Sequence, residues 1–98
     1  MNVSKWLEKR DVLMKELADF QRHTTTQLQG WKKKGSDNGL VIALEAVLAE
    51  AESLSSLLNS IADGAEERGQ ISELRNRFRE LKMTAKRLEG QWNERAIV

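Results

Sequence analysis

Apolar positions recur along this chain in alternating steps of three and four residues, the spacing that lines one face of an α-helix. In the first segment Val3, Trp6, Leu13, Leu17, Phe20 and Trp31 keep that rhythm, with Arg10, Thr24 and Gln27 in the remaining slots and Leu7, Met14 and Leu28 beside them. The second stripe is cleaner: Leu40, Leu44, Val47, Ala51, Leu54, Leu58 and Ile61. The third, Ile71, Leu74, Phe78, Leu81, Ala85, Leu88 and Trp92, is cleaner still. No segment alternates with period two, so strands are not expected. The pattern predicts three helices, near residues 3–29, 38–63 and 69–95.

The breaks between stripes agree. Gly30 and Gly35 bracket Trp31-Lys32-Lys33-Lys34, which reads as a loop, and Ser36, Asp37 and Asn38 offer three candidate N-caps before Leu40. Gly64 stands where a left-handed C-cap would end the second helix, and Gly69 precedes the third stripe. Short connections between helices of similar length make sequential neighbours antiparallel. The expected fold is therefore all-α, a single domain over 1–98, built as an up-down-up three-helix bundle with coiled-coil-like heptad packing. Counting inward from the loops puts Trp31, Leu40 and Trp92 in one layer. Further in, Phe20, Ala51 and Leu81 share a layer, then Leu17, Leu54 and Phe78, with Trp6 near Ile61 and Ile71 at the far end.

The third segment, through Ile71, Leu74, Phe78, Leu81, Leu88 and Trp92, resembles the last helix of a spectrin-type three-helix coiled coil. That resemblance implies a shared geometry and carries no functional residues with it.

Composition narrows the function classes. The chain has 98 residues, no Cys, one His, and 16 Lys+Arg against 15 Asp+Glu for a net charge of +1. Without Cys, disulfide scaffolds, zinc fingers and thiol chemistry are excluded. Near-neutral charge argues against a generic polyanion binder, although local charge can still act. The longest unbroken apolar run, Leu40 to Leu44, is far too short to span a bilayer, and Met1 to Lys5 opens no signal-peptide core. A cytoplasmic setting is expected, with no membrane contact.

Catalytic chemistry is thinly represented. His23 lies four residues after Asp19, so the two could share a helix face as half of a metal site, but no second His exists to complete it. Gly30 to Ser36 lacks the Lys between Gly35 and Ser36 and the preceding strand of a phosphate loop, and Asp37-Asn38-Gly39 lacks the further ligands of a calcium loop. The expectation is a protein that is not an enzyme, with no cofactor, metal or small-molecule substrate.

Surfaces carry more information. Leu40 to Ala49 is apolar nearly all round, broken only by Glu45. Ile42, Ala46 and Ala49 fall outside the core seam, Ser53, Ser56 and Ser60 continue their line, and Val41 and Leu48 sit at its shoulder. A ridge of small residues lets another backbone approach closely, and Ile42 is a poor choice for a solvated face. Val41, Ile42, Ala46, Ala49, Ser53 and Ser56 are therefore the candidate protein-binding residues. The simplest partner is a second copy of the chain, forming a homodimer through the second helix.

A second candidate surface is cationic. From Gly39 to Asp63 there are four acids and no base, whereas Gly69 to Val98 carries seven bases against four acids. Trp31, Lys32, Lys33 and Lys34, with Arg75, Arg79, Lys82 and Lys86, could bind nucleic acid or an acidic partner. Against that, Glu73, Glu80, Glu89 and Glu94 interleave with the bases in sequence, and opposite charges on the second and third helices would serve their pairing equally well. The leading expectation is a helical adaptor, chaperone or inhibitor acting on another protein. The alternatives are a small nucleic-acid-associated protein and a structural coiled-coil spacer.

Overall fold

A computed structural model of the chain describes residues 2–35, 38–61 and 68–97, with side chains over 9–35, 38–61 and 69–95. Three helices follow one another: α1 (Asn2–Lys34), α2 (Asn38–Ser60) and α3 (Arg68–Ile97). They lie side by side in a rod of 55 × 17 × 16 Å. Contacts at both ends fix the order. Lys32 Nζ, in the last turn of α1, lies 3.5 Å from Glu45 near the start of α2. At the other pole Arg10 of α1 donates to the Ile61 carbonyl just beyond α2, 3.4 Å away. Midway along α2, Glu50 accepts from Arg77 of α3 at 2.8 Å. The result is an all-α, up-down-up three-helix bundle, with α2 packed closely against both neighbours.

The first helix runs further than its glycines suggest. Gly30 does not stop it; the helix continues through Trp31 and ends at Lys34, so the predicted Trp31–Lys34 loop is the helix's last turn. The reason is tertiary. A glycine inside a helix costs about 0.5–1 kcal/mol, and Trp31, 5% exposed against Trp92, recovers more than that through burial. The stop comes at Gly35, whose φ of 62° is the left-handed conformation that ends many helices. Its N–H donates back to the Trp31 carbonyl at 3.2 Å. At the far end α2 stops at Ser60, not 63, with Ile61 N–H donating to Leu58 at 3.4 Å in a tightened final turn. The proposed caps at Ser36, Asp37 and Gly64 lie outside the described residues, as does the Trp6 side chain.

The core follows the second and third stripes closely and refines the first. Leu44, Ala51, Leu54 and Leu58 have no exposed surface at all. In α1 the line closes through Leu13, Leu17, Thr24, Leu28 and Trp31, so Leu28 takes the interior slot and Gln27 moves to its edge. Thr24, one of the three polar interruptions, is 1% exposed. Phe20 is only half-buried, and its ring meets Phe78 edge-on, centroids 5.4 Å apart and planes at 84°. That contact joins two layers that the register counts separately.

Charges at the C-terminal ends of the helices match the helix dipoles, whereas no first turn carries an acid. Lys32, Lys33 and Lys34 occupy the negative end of α1, while the last turn of α2 has no base of its own. Arg10 supplies one from α1 by reaching the Ile61 carbonyl. This explains why a cation interrupts the apolar stripe at that position.

Candidate interaction surfaces

Three surfaces come out of this arrangement. On α2, Leu40, Leu44, Val47, Ala51, Leu54 and Leu58 turn inward, which leaves the opposite side of the cylinder to solvent. Ile42 is 65% exposed there, and Ala46, Ala49, Ser53, Ser56 and Ser60 are exposed in line with it. Val41 differs from the rest: it is half-buried against the core, as is Leu48, so both border the ridge without forming it. Leu57, 45% exposed, extends the ridge and was not singled out from sequence. Its place was legible, because Leu54 and Leu58 occupy the seam on either side and leave Leu57 outside.

The ridge is flanked by acids alone. Glu45 faces Lys32 of α1 and Glu50 faces Arg77 of α3, so each is partly neutralised by a neighbouring helix. Exposed pairs of this kind contribute at most about 1 kcal/mol. Glu52, seven residues after Glu45, is exposed on the same flank as Glu45.

The triple lysine and the tryptophans occupy one end of the rod but do not form one site. Trp31 and Trp92 stack on each other, ring centroids 4.5 Å apart and planes within 7° of parallel. They are 5% and 8% exposed, so neither indole offers a free face to a nucleobase. Lys32 is engaged with Glu45, while Lys33 and Lys34 are exposed.

On α3, Arg75, Arg79, Lys82 and Lys86 are all exposed, and their spacing of four, three and four residues places them in one line along the helix. Lys82 marks where that line runs, for its ammonium lies 4.7 Å over the Phe78 ring, which in turn meets Phe20 of α1. Glu89, seven residues on from Lys82, accepts from Gln27 of α1 at 2.9 Å. The cationic line therefore borders the α1–α3 seam.

Nothing brings catalytic groups together in the regions described. Asp19 pairs with Arg22, not with His23, and His23 is exposed. Among the described residues there is no cluster of three or more His, Cys, Asp or Glu placed to hold a metal ion, and no helix long and apolar enough to cross a membrane. Two surface depressions, one over Thr26, Gln29, Gly30, Lys32 and Lys33 and one over Glu80, Met83, Thr84 and Arg87, are each built from a single helix and open to solvent. No family model, curated protein or solved structure matches the chain.

Proposed function

We propose that this chain is a non-enzymatic helical interaction protein, an adaptor, chaperone or inhibitor, that receives a partner helix on the outer face of α2. The observation that carries this reading is Ile42. It is 65% exposed at the head of a line of small side chains, Ala46, Ala49, Ser53 and Ser56, on the side of α2 directly opposite the core. A β-branched apolar residue gains nothing from solvent, and burying such a side chain in a contact contributes about 1.5–3 kcal/mol. The small residues below it let a second helix approach without clash, in the manner of helix-in-groove recognition. A second copy of the chain is the first partner to test, since twofold dimers are the commonest oligomers.

The experiment is site-specific crosslinking. A photoreactive residue replacing Ala46 should give adducts, with itself or with another protein, that Ile42→Glu abolishes. The same residue replacing Arg87 on α3 should give none. Absence of adducts at Ala46, together with a monomeric mass by light scattering at high concentration, would rule the reading out.

A further inference from the structure

The four acids that interleave with the bases of α3 in sequence do not interleave with them on its surface. Arg77 faces α2 through Glu50, and Glu73 and Glu80, four residues before and three after it, share that flank. Glu94 lies seven residues beyond Arg87, on the helix side away from the core. Glu89 alone borders the seam with α1, where it is bonded to Gln27. What remains beside that seam is Arg75, Arg79, Lys82 and Lys86. Among the described residues none of the four has a carboxylate within ion-pair distance, in contrast to Lys32 and Arg77.

The α1 side of the seam adds to the same field. Phe20 and Gln27 face α3, and residues at seven-residue spacing share their side of the helix: Lys34 follows Gln27, while Lys9, Glu16 and His23 form the adjoining line. Lys9 and Lys34 offset Glu16 there. The acids of α2 lie on the other side of the rod. A chain of net charge +1 is thus divided into an acidic edge and a cationic one.

We propose that the cationic edge binds the phosphate backbone of double-stranded nucleic acid, without reading its sequence. Arg75 to Lys86 spans about 16.5 Å at 1.5 Å per residue, a length of duplex that carries on the order of ten phosphate charges. Two observations choose the duplex backbone over other nucleic-acid modes. Single strands are held by exposed aromatic platforms, and here Trp31 and Trp92 cover each other. Reading base edges requires one helix to enter a major groove about 12 Å wide, whereas the cationic line lies at a seam between two helices in a rod 17 × 16 Å across. This site is separate from the α2 ridge and does not depend on it.

The test is fluorescence anisotropy with a labelled 30-base-pair duplex of mixed sequence, titrated at 50 and 200 mM salt. Four phosphate contacts predict a slope of log K against log salt of about −3.6, a loss of affinity of about a hundredfold between those two concentrations. Arg79→Gln with Lys86→Gln should halve the slope. Lys15→Gln with Arg87→Gln, exposed residues away from the seam, removes the same charge and should change affinity less than twofold. Circular dichroism melting confirms that both variants fold. Equal losses in the two pairs would show a net-charge effect and overturn the proposal. So would binding to anionic phospholipid vesicles in the absence of duplex binding, or no measurable duplex binding at 50 mM salt.

Discussion

Trp31 and Trp92 stack face to face across the end of the bundle, their ring centroids 4.5 Å apart. Each comes near the C-terminal end of its helix, and the pair can form only because α1 and α3 run parallel and α1 continues past Gly30. Truncating either ring therefore acts on the whole end layer. Trp31→Ala or Trp92→Ala should cost about 3–5 kcal/mol, read from chemical denaturation. The coupled near-ultraviolet dichroism of two stacked indoles should vanish when either one is replaced by Phe. If both single Phe variants keep that signal, the stacking is wrong.

Mid-bundle residues should behave as buried side chains with nowhere to relax. Leu54 has no exposed surface and Phe78 is 2% exposed, so Leu54→Ala and Phe78→Ala should each destabilise by about 2–5 kcal/mol. Met83, 66% exposed on α3, is the comparison, and Met83→Ala should stay within about 0.5 kcal/mol. A Phe78→Ala variant that melts like Met83→Ala would contradict the register.

Two glycines in the same turn region should respond with opposite signs. Gly30 is helical and a Cβ there meets nothing within 4 Å, so Gly30→Ala should stabilise by about 0.5–1 kcal/mol. Gly35 has φ at +62°, where a side chain is strained whatever space surrounds it, so Gly35→Ala should destabilise by about 1 kcal/mol. Urea denaturation of the two variants decides the matter, and two changes of the same sign would refute the helix end described.

The α2 ridge allows a separation of folding from association. Ile42 and Ala46 are both exposed, so Ile42→Glu and Ala46→Arg should leave thermal melting within a few degrees of the parent protein. Either charge would be desolvated in an interface at a penalty of several kcal/mol, so complexes made through this face should disappear. Melting that falls sharply in both variants would mean that the ridge is structural.

How far the sequence discloses the molecule varies by element. The second and third stripes predict the buried faces of α2 and α3 almost residue for residue, since no described polar side chain of either helix enters the core. The first stripe misleads at two places. Gly30 carries an intrinsic stop signal that the Trp31–Trp92 contact outweighs, and no local rule contains a partner 61 residues away. Gln27 and Leu28 compete for one interior slot, and the structure resolves it by burying Leu28 and bonding Gln27 to Glu89 at the edge. The ridge on α2 was legible because it depends on one helix alone. The separation of acids from bases on α3 was not, because linear interleaving says nothing until Arg77 and Lys82 reveal which neighbour each flank meets.

The order in which the helices meet also bears on how the chain folds and breathes. α2 meets each partner through contacts that start beside the connecting loop and widen away from it, from pairs such as Glu50 with Arg77 at 27 residues to Arg10 with Ile61 at 51. α1 reaches α3 only through pairs like Gln27 and Glu89, 62 residues apart. Closing the longer span costs about 0.7 kcal/mol more in chain entropy. The α1–α2 and α2–α3 hairpins can therefore assemble first, on the microsecond-to-millisecond scale of locally connected helical proteins, with the α1–α3 seam zipping last. By the same reasoning that seam opens first under native conditions. Amide exchange along the α3 flank should outpace exchange in the middle of α2, and a polyanion laid across the seam would slow it.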